Sequence, residues 1–302
     1  MAEAALAQAQ LLTLRNTIAR IEGVPTTLED KTTSGRTSQM HLPLGMDGFD
    51  EALGGGIQID ALNEIRTSET RDAGAATGFV LGLSVLTLQA GTNKAQRILW
   101  IGETVASMEA GLPNAEGLSS FGLSPSQLLY ARPGKLEDAL FMAESALGVS
   151  AFAAVILEVR GNPQKFGLTE SRRLHLRARA AGRPLFLLRQ AGVEEASSAP
   201  LRLAVTPAPA RARPLPDGSP LKGSIGNPVF RVALEKSRNP GPLEFMMEWN
   251  PHDRQFYPAT QPITRTLPQS GTADLGLKLP ASGHRQDRPQ TMGNVVAFSR
   301  AS

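Results

Sequence analysis

Five short runs that are apolar at nearly every position, ALNEI (61–65), RILWIGE (97–103), LLYARP (128–133), AAVILEV (153–159) and PLFLLRQ (184–190), alternate with stretches of helical periodicity such as GFVLGLSVLTLQAG and KLEDALFMAESALG. A strand without a polar face must lie in a sheet covered on both sides, and a helix between successive strands is what a parallel sheet requires. The alternation therefore predicts an α/β fold with a mainly parallel sheet. A further strand is predicted at LRLAVTPAP (201–209). Two later runs, PVFRVALEKSR (228–238) and PLEFMMEWN (242–250), flank the turn signal Asn239-Pro240-Gly241-Pro242 and predict an antiparallel extension of the same sheet, with Phe245 and Trp249 on its core face.

The same patterning divides the 302 residues. Residues 1–23 hold an amphipathic helix with Leu11, Leu14, Ile18 and Ile21 at heptad spacing, too short to stand alone and so expected to dock on the core, a second copy or a partner. Residues 24–41 are rich in Thr and Ser and read as a linker, 42–258 form the core, and 259–302 are polar and read as a flexible tail. Within that tail Val295, Val296 and Phe298 make an apolar island, suited to docking on a partner or folding back on the core. The chain contains no cysteine, which excludes disulfides, thiolate metal sites and a cysteine nucleophile. The N-terminus lacks the pattern of a secretory signal, and the longest apolar run, Ala139 to Val159, carries Glu144 and Glu158, so a soluble, cytoplasmic protein is expected. A net charge of +3 is too small to establish a nucleic-acid partner.

The order of the pieces resembles a RecA-like core. Leu44-Gly-Met-Asp-Gly-Phe-Asp-Glu-Ala-Leu-Gly-Gly-Gly56 is similar to that family's opening motif, Asn63-Glu64-Ile65 to its first core strand, and Trp100-Ile101-Gly102-Glu103 to the strand that carries a water-activating glutamate. Val155-Ile156-Leu157-Glu158 is similar to the metal-side acidic strand, and Leu187-Leu188-Arg189-Gln190 to the strand ending in a sensor glutamine. The phosphate loop departs from that pattern. A loop of the form G-x-x-x-x-G-K-[ST] surrounds phosphates with backbone amides, neutralises them with lysine and holds magnesium with a hydroxyl. Here the segment from Arg66 to Gly78 reads RTSETRDAGAATG, and no lysine occurs between Thr32 and Asn93. The relic positions of a nucleotide site are then Arg66, Arg71, Thr77, Glu103, Glu158 and Gln190, with no cofactor and no catalysis expected.

A narrower resemblance rests on the N-terminal LR-x-x-I-x-x-IEG helix, the LPLG opening, NEI before a degenerate loop, GNPVFRVALEKSR, LEFMMEW and the terminal VVAFSR. Together these are similar to the alphaproteobacterial form of the ImuA family of damage-inducible mutagenesis proteins. The resemblance implies a nucleoid-associated accessory protein of the SOS response. Its partners would be the polymerase homologue ImuB and an error-prone polymerase in translesion synthesis, with RecA as a further partner. Two alternatives stay open on the residues: a DNA-stimulated ATPase or RecA-filament regulator, and a binding protein like the cell-division inhibitors of similar fold.

Two surface features complete the sequence reading. Between Arg160 and Arg189 stand Arg160, Lys165, Arg172, Arg173, Arg177, Arg179, Arg183 and Arg189 against Glu170 alone. The patch suits single-stranded DNA phosphates, a solvated helix face or an acidic protein partner, and its one aromatic, Phe166, offers little base stacking. Lys236 and Arg238, two apart on a predicted strand, fall on one face and read as an interface pair. The four histidines show no metal spacing.

Overall fold

The computed structural model describes residues 40–259, apart from 92–96, 214 and 239–242. The predicted helix bearing Leu11, Leu14, Ile18 and Ile21, the 239–242 turn and the tail with Val295, Val296 and Phe298 lie outside the described residues. The described chain opens with a small ribbon, β1 (His41–Leu42) and β2 (Ile57–Gln58), around the short helix α1 (Asp47–Ala52). The glycine-rich opening motif holds this ribbon rather than a phosphate. The Asp50 carboxylate accepts hydrogen bonds from the backbone amides of Leu44, Gly45 and Met46 at 2.9–3.1 Å. Gly56 turns at φ +115° so close to Leu42 that a Cβ there would lie 2.2 Å from its carbonyl oxygen.

The main sheet contains β3 (Leu62–Arg66), β4 (Arg97–Gly102), β5 (Leu128–Ala131), β6 (Phe152–Arg160), β7 (Leu185–Gln190), β8 (Leu201–Ala208), β9 (Val229–Lys236), β10 (Leu243–Asn250) and β11 (Gln255–Pro258). Its order is β11-β10-β9-β8-β3-β7-β6-β4-β5. The strand β3 lies between β7 and β8, parallel to both, with β6, β4 and β5 beyond β7 in parallel. Beyond β8 the neighbours β9, β10 and β11 are antiparallel. This is the strand order of a RecA-like α/β fold, with the first core strand at the centre.

Strand alternation sends successive side chains to opposite faces and so builds two cores. On one face Ile65, Trp100, Ile156 and Phe186 pack beneath α2 (Ala73–Ala90). On the other Leu62, Ile101, Val155 and Leu187 pack beneath α5 (Leu136–Leu147) and α6 (Leu168–Ala181). The connection from β4 to β5 carries two short helices, α3 (Thr104–Ala110) and α4 (Ala115–Ser120), which periodicity did not reveal.

The helix α2 has no polar face. Over Thr70–Ala90 it is long and apolar enough to span a membrane, yet 67% of its most apolar window is buried inside the fold. The sheet lies beneath it, and the twisted β9–β11 end brings aromatic rings over it. Phe79 packs 5.3 Å from Phe256, and Phe256 packs 4.8 Å from Trp249. Rings reach the helix because glycines let them: a Cβ on Gly78 would lie 2.6 Å from Phe121, and one on Gly82 would lie 2.7 Å from Phe256. The strand β11 escapes sequence reading because its Gln-Phe-Tyr-Pro run buries one residue, and pairing with β10 defines it.

Two placements refine the sequence reading. The helix α2 begins at Ala73, so Thr77 and Gly78 are helical residues that line the cleft beside Glu158, and Gly78 is small to admit the Phe121 ring. The strand β9 ends at Lys236, so Arg238 lies just beyond it, and both cations act on His175.

The packing of α2 gives a paired test. Gly82→Ala should destabilise the protein by about 1–2 kcal/mol in denaturant melts, because overpacking against a ring that cannot yield exceeds the gain in helix propensity. Gly74→Ala, with nothing within 4 Å of the added Cβ, should stabilise by about 0.5–1 kcal/mol.

Candidate functional site

In a sheet of this kind, ligands bind outside the carboxyl ends of the strands, where the order reverses. Here that region is formed by the ends of β3, β4, β6 and β7. Glu158, Gln190 and Trp100 stand at or within two residues of the carboxyl ends of β6, β7 and β4 on the α2 face, because each keeps the parity of buried neighbours such as Ile156 and Leu188. The three side chains close on one another. Trp100 Nε1 donates to Glu158 Oε2 at 2.8 Å, and Gln190 Nε2 donates to Glu158 Oε1 at 3.0 Å. Thr67, directly after β3, accepts at Oγ1 from the amide of Ala191 at 3.1 Å. Glu158 is 1% exposed, and burial raises its carboxyl above the usual range, against the smaller opposing effect of its bonds to Gln190 and Trp100.

Glu103 stands at the end of β4. Its Oε2 accepts from the Arg160 amide at 3.2 Å, and its own amide donates to the Glu158 carbonyl at 3.0 Å. Both acidic positions are thus brought to the crevice, and both carboxylates already have donors from the protein. The cleft above Glu158 has a volume of about 180 Å³ and is lined by Gly74, Thr77, Gly78, Trp100 and Phe121 among others. That is below the roughly 300 Å³ at which small-molecule sites begin. Among the described residues no group of three or more metal-ligating side chains is present.

The degenerate loop does not supply the missing charge. Arg71 is exposed and ion-paired with Glu69 at 2.8 Å. Arg66 shares its parity with Leu62 and Glu64, so it emerges on the opposite face from Glu158. This corrects its sequence assignment to the nucleotide site. Its guanidinium is held by Glu235, through Nε at 2.6 Å, and by the Gly192 carbonyl at 3.0 Å. The bond to Glu235 raises its pKa still further, so it stays charged and occupied.

On that second face lies a cluster that sequence reading missed. Glu64, 1% exposed, sits between Arg189 and Arg202, each with Nε 3.2 Å from a different carboxylate oxygen. Ser197 donates to Glu64 at 2.8 Å. The contact from Arg202 Nε is an ion pair without hydrogen-bond alignment, while its Nη2 bonds Ser197 and the Glu195 carbonyl. Lys236 donates to the Ser197 carbonyl at 2.7 Å, so this predicted interface residue is bound within its own chain. The available signal was a glutamate inside an apolar strand, which requires buried hydrogen-bond donors, here mostly cationic.

The loops after β6 and β7 are fastened to each other. Asn162 bonds Val193 in both directions, at 2.8 and 3.1 Å, and reaches Glu195 at 2.7 Å. Arg189 donates to the Gly161 carbonyl at 2.9 Å. Much of the predicted basic patch is also engaged: Arg160 with Glu109, Lys165 with Glu137, Arg173 with Glu144, and Arg183 with the Leu147 carbonyl. Arg172, Arg177 and Arg179 stay exposed on α6 with no ion pair among the described residues.

No model of a known protein family matches the chain, and no curated protein sequence does. Among solved structures the chain is similar to one described as the crystal structure of the RadB recombinase. The identity is 17% over 72% of this chain and all of that one, with a TM-score of 0.48. The fold assignment comes from the strand order and not from this likeness.

Two outcomes follow from the clusters. A carboxyl raised by burial contributes stability that is complete below its unfolded pKa and is lost as pH rises through the folded one. Glu158→Gln keeps an acceptor for Trp100 and lacks that loss, so in melts between about pH 4 and pH 8 the wild type should weaken relative to Glu158→Gln as pH rises. Glu64→Ala should cost about 3–5 kcal/mol by leaving buried arginines uncompensated, whereas Glu69→Ala in the exposed pair should change stability by under about 0.5 kcal/mol.

Proposed function

We propose that this protein is a non-catalytic RecA-like accessory subunit of a DNA-damage tolerance complex. It works in translesion synthesis beside an ImuB-like polymerase homologue and an error-prone polymerase. The observation that carries the non-catalytic reading is the engagement of both oxygens of Glu158 by the protein's own donors, with Glu103 and Arg66 also bonded within the chain. Glu158 is closed by Trp100 and Gln190, Glu103 by the β6 backbone, and Arg66 faces away and belongs to Glu235. Phosphoryl transfer depends on positioning and on charge aimed at the phosphates, and the segment from Arg66 to Gly78 offers no lysine. The motifs that resemble ImuA supply the biological setting of the proposal, and the fold supplies a scaffold whose surfaces outlast its chemistry.

Calorimetry with magnesium-ATP, with and without single-stranded DNA, should give no binding heat at millimolar nucleotide. Saturable binding or DNA-stimulated hydrolysis would instead favour the ATPase reading. The tagged chain should co-purify stoichiometrically with an ImuB-like polymerase homologue; absence of that complex would sink the adaptor reading.

A further inference from the structure

The helix α6 buries Ser171, Leu174 and Ala178 and leaves Leu168 and Leu176 exposed. Polar contacts supplement this narrow apolar stripe. In the first turn the Ser171 hydroxyl accepts from the Ser198 amide at 3.1 Å, and Arg173 pairs with Glu144 on α5. The contact to the sheet itself is His175, whose Nδ1 accepts a hydrogen bond from the amide of Leu62 at 3.4 Å. Leu62 is the first residue of β3, the central strand, and is wholly buried.

An imidazole that accepts at Nδ1 carries its proton on Nε2 and is neutral. A second proton would go to Nδ1, the nitrogen turned to the Leu62 amide. Donor would then face donor, and a buried N–H would lose its acceptor. The surroundings also oppose a charge there. His175 is partly buried. The charged groups acting on it are Arg179, one turn further along α6, Lys236 and Arg238 at and beyond the end of β9, and Asp60 ahead of β3. Asp60, the one acid among them, is already bonded by the Gln58 side-chain amide at 2.8 Å. Burial above all, then Arg179, Arg238 and Lys236, hold the imidazole below the usual histidine range.

From this arrangement we infer that His175 is an acid-sensitive pin: on gaining a proton it lets go of the start of β3 and frees the second half of α6 from the sheet. The device goes beyond the adaptor reading and does not depend on it. It acts on the helix that carries Arg172, Arg177 and Arg179 on its exposed surface. Because the native pKa is lowered, the contact contributes its full stability above the unfolded value of about 6.5 and loses it as pH falls through the native one.

Imidazole-selective NMR on the full chain, with each histidine assigned by its own His→Gln variant, tests the pin directly. His175 should be the Nε2–H tautomer at about pH 7.5 and should titrate below about 6.5. Arg179→Gln, a change on the surface, should raise that midpoint. Hydrogen exchange, corrected for its intrinsic pH dependence, should show the amides of Leu62 and of residues 176–181 losing protection as pH falls from about 6.5 to 5. The loss should be at most about tenfold for each unit by which the pKa is lowered. In His175→Gln, which keeps an acceptor and cannot titrate, the loss should vanish, and the Ile156 amide in β6 should stay protected in both proteins. A His175 midpoint at or above about 6.5, an Nδ1–H tautomer, or no shift with Arg179→Gln overturns the proposal. So does equal loss of protection in wild type and His175→Gln, or a parallel loss at Ile156, which would mean that acid weakens the whole fold. If His175→Gln does not fold, the wild-type tautomer and midpoint and the Arg179→Gln shift decide the matter.

Discussion

Glu64 is a carboxylate held at 1% exposure in the central strand, between the guanidiniums of Arg189 and Arg202. Taking such ions out of water costs several kcal/mol each, and only close geometry with further hydrogen bonds offsets it. That requirement organises the half of the molecule around it. Arg189 reaches the Gly161 carbonyl and stacks 5.3 Å from the Phe166 ring, while Arg202 and Ser197 fix the segment after β7. Arg66 and Glu235 add a second ion pair that ties β3 to β9. Three parallel strands, one antiparallel strand and two loops are thus joined through side chains as well as through the sheet.

The opposite face is arranged around a carboxylate with no cation. Glu158 takes its hydrogen bonds from an indole and an amide, neutral donors that leave the burial penalty largely standing and the carboxyl raised. In a nucleotide-binding relative of this fold such a group would face a metal and phosphates. Here the neighbouring helix is wrapped by Phe121, Phe256 and Trp249, and its glycines serve the rings. Aromatic packing fills the space against α2 at Gly78 and Gly82.

Much of this was legible in the chain. Apolar runs alternating with helical stretches gave the parallel sheet, because a strand buried on both faces has only one setting. The runs at 228–238 and 242–250 gave the antiparallel end, whereas the β1–β2 ribbon went unread, and the segment from Arg66 to Gly78 carries no lysine. Less legible were features whose meaning depends on partners distant in sequence. Arg66 reads as a loop cation until β3 is extended to include it, after which parity places it beside Glu64. Gly78 reads as a loop glycine until Phe121, 43 residues on in the chain, comes to rest on it. The helices α3 and α4 are too short for periodicity to show.

By itself, then, the sequence determined the class of fold, the order of its strands in the chain and the absence of a phosphate-binding charge, since these follow from local patterning and from which residue types are present. The tertiary structure alone decided which charges meet. Glu64 with Arg189 and Arg202, Glu158 with Trp100 and Gln190, and Arg66 with Glu235 are all pairings between strands far apart in sequence, set by register and by the face each residue takes. It also decided which leucines of α6 stay outside, because a helix of mixed polarity has no preferred face until a sheet is beneath it.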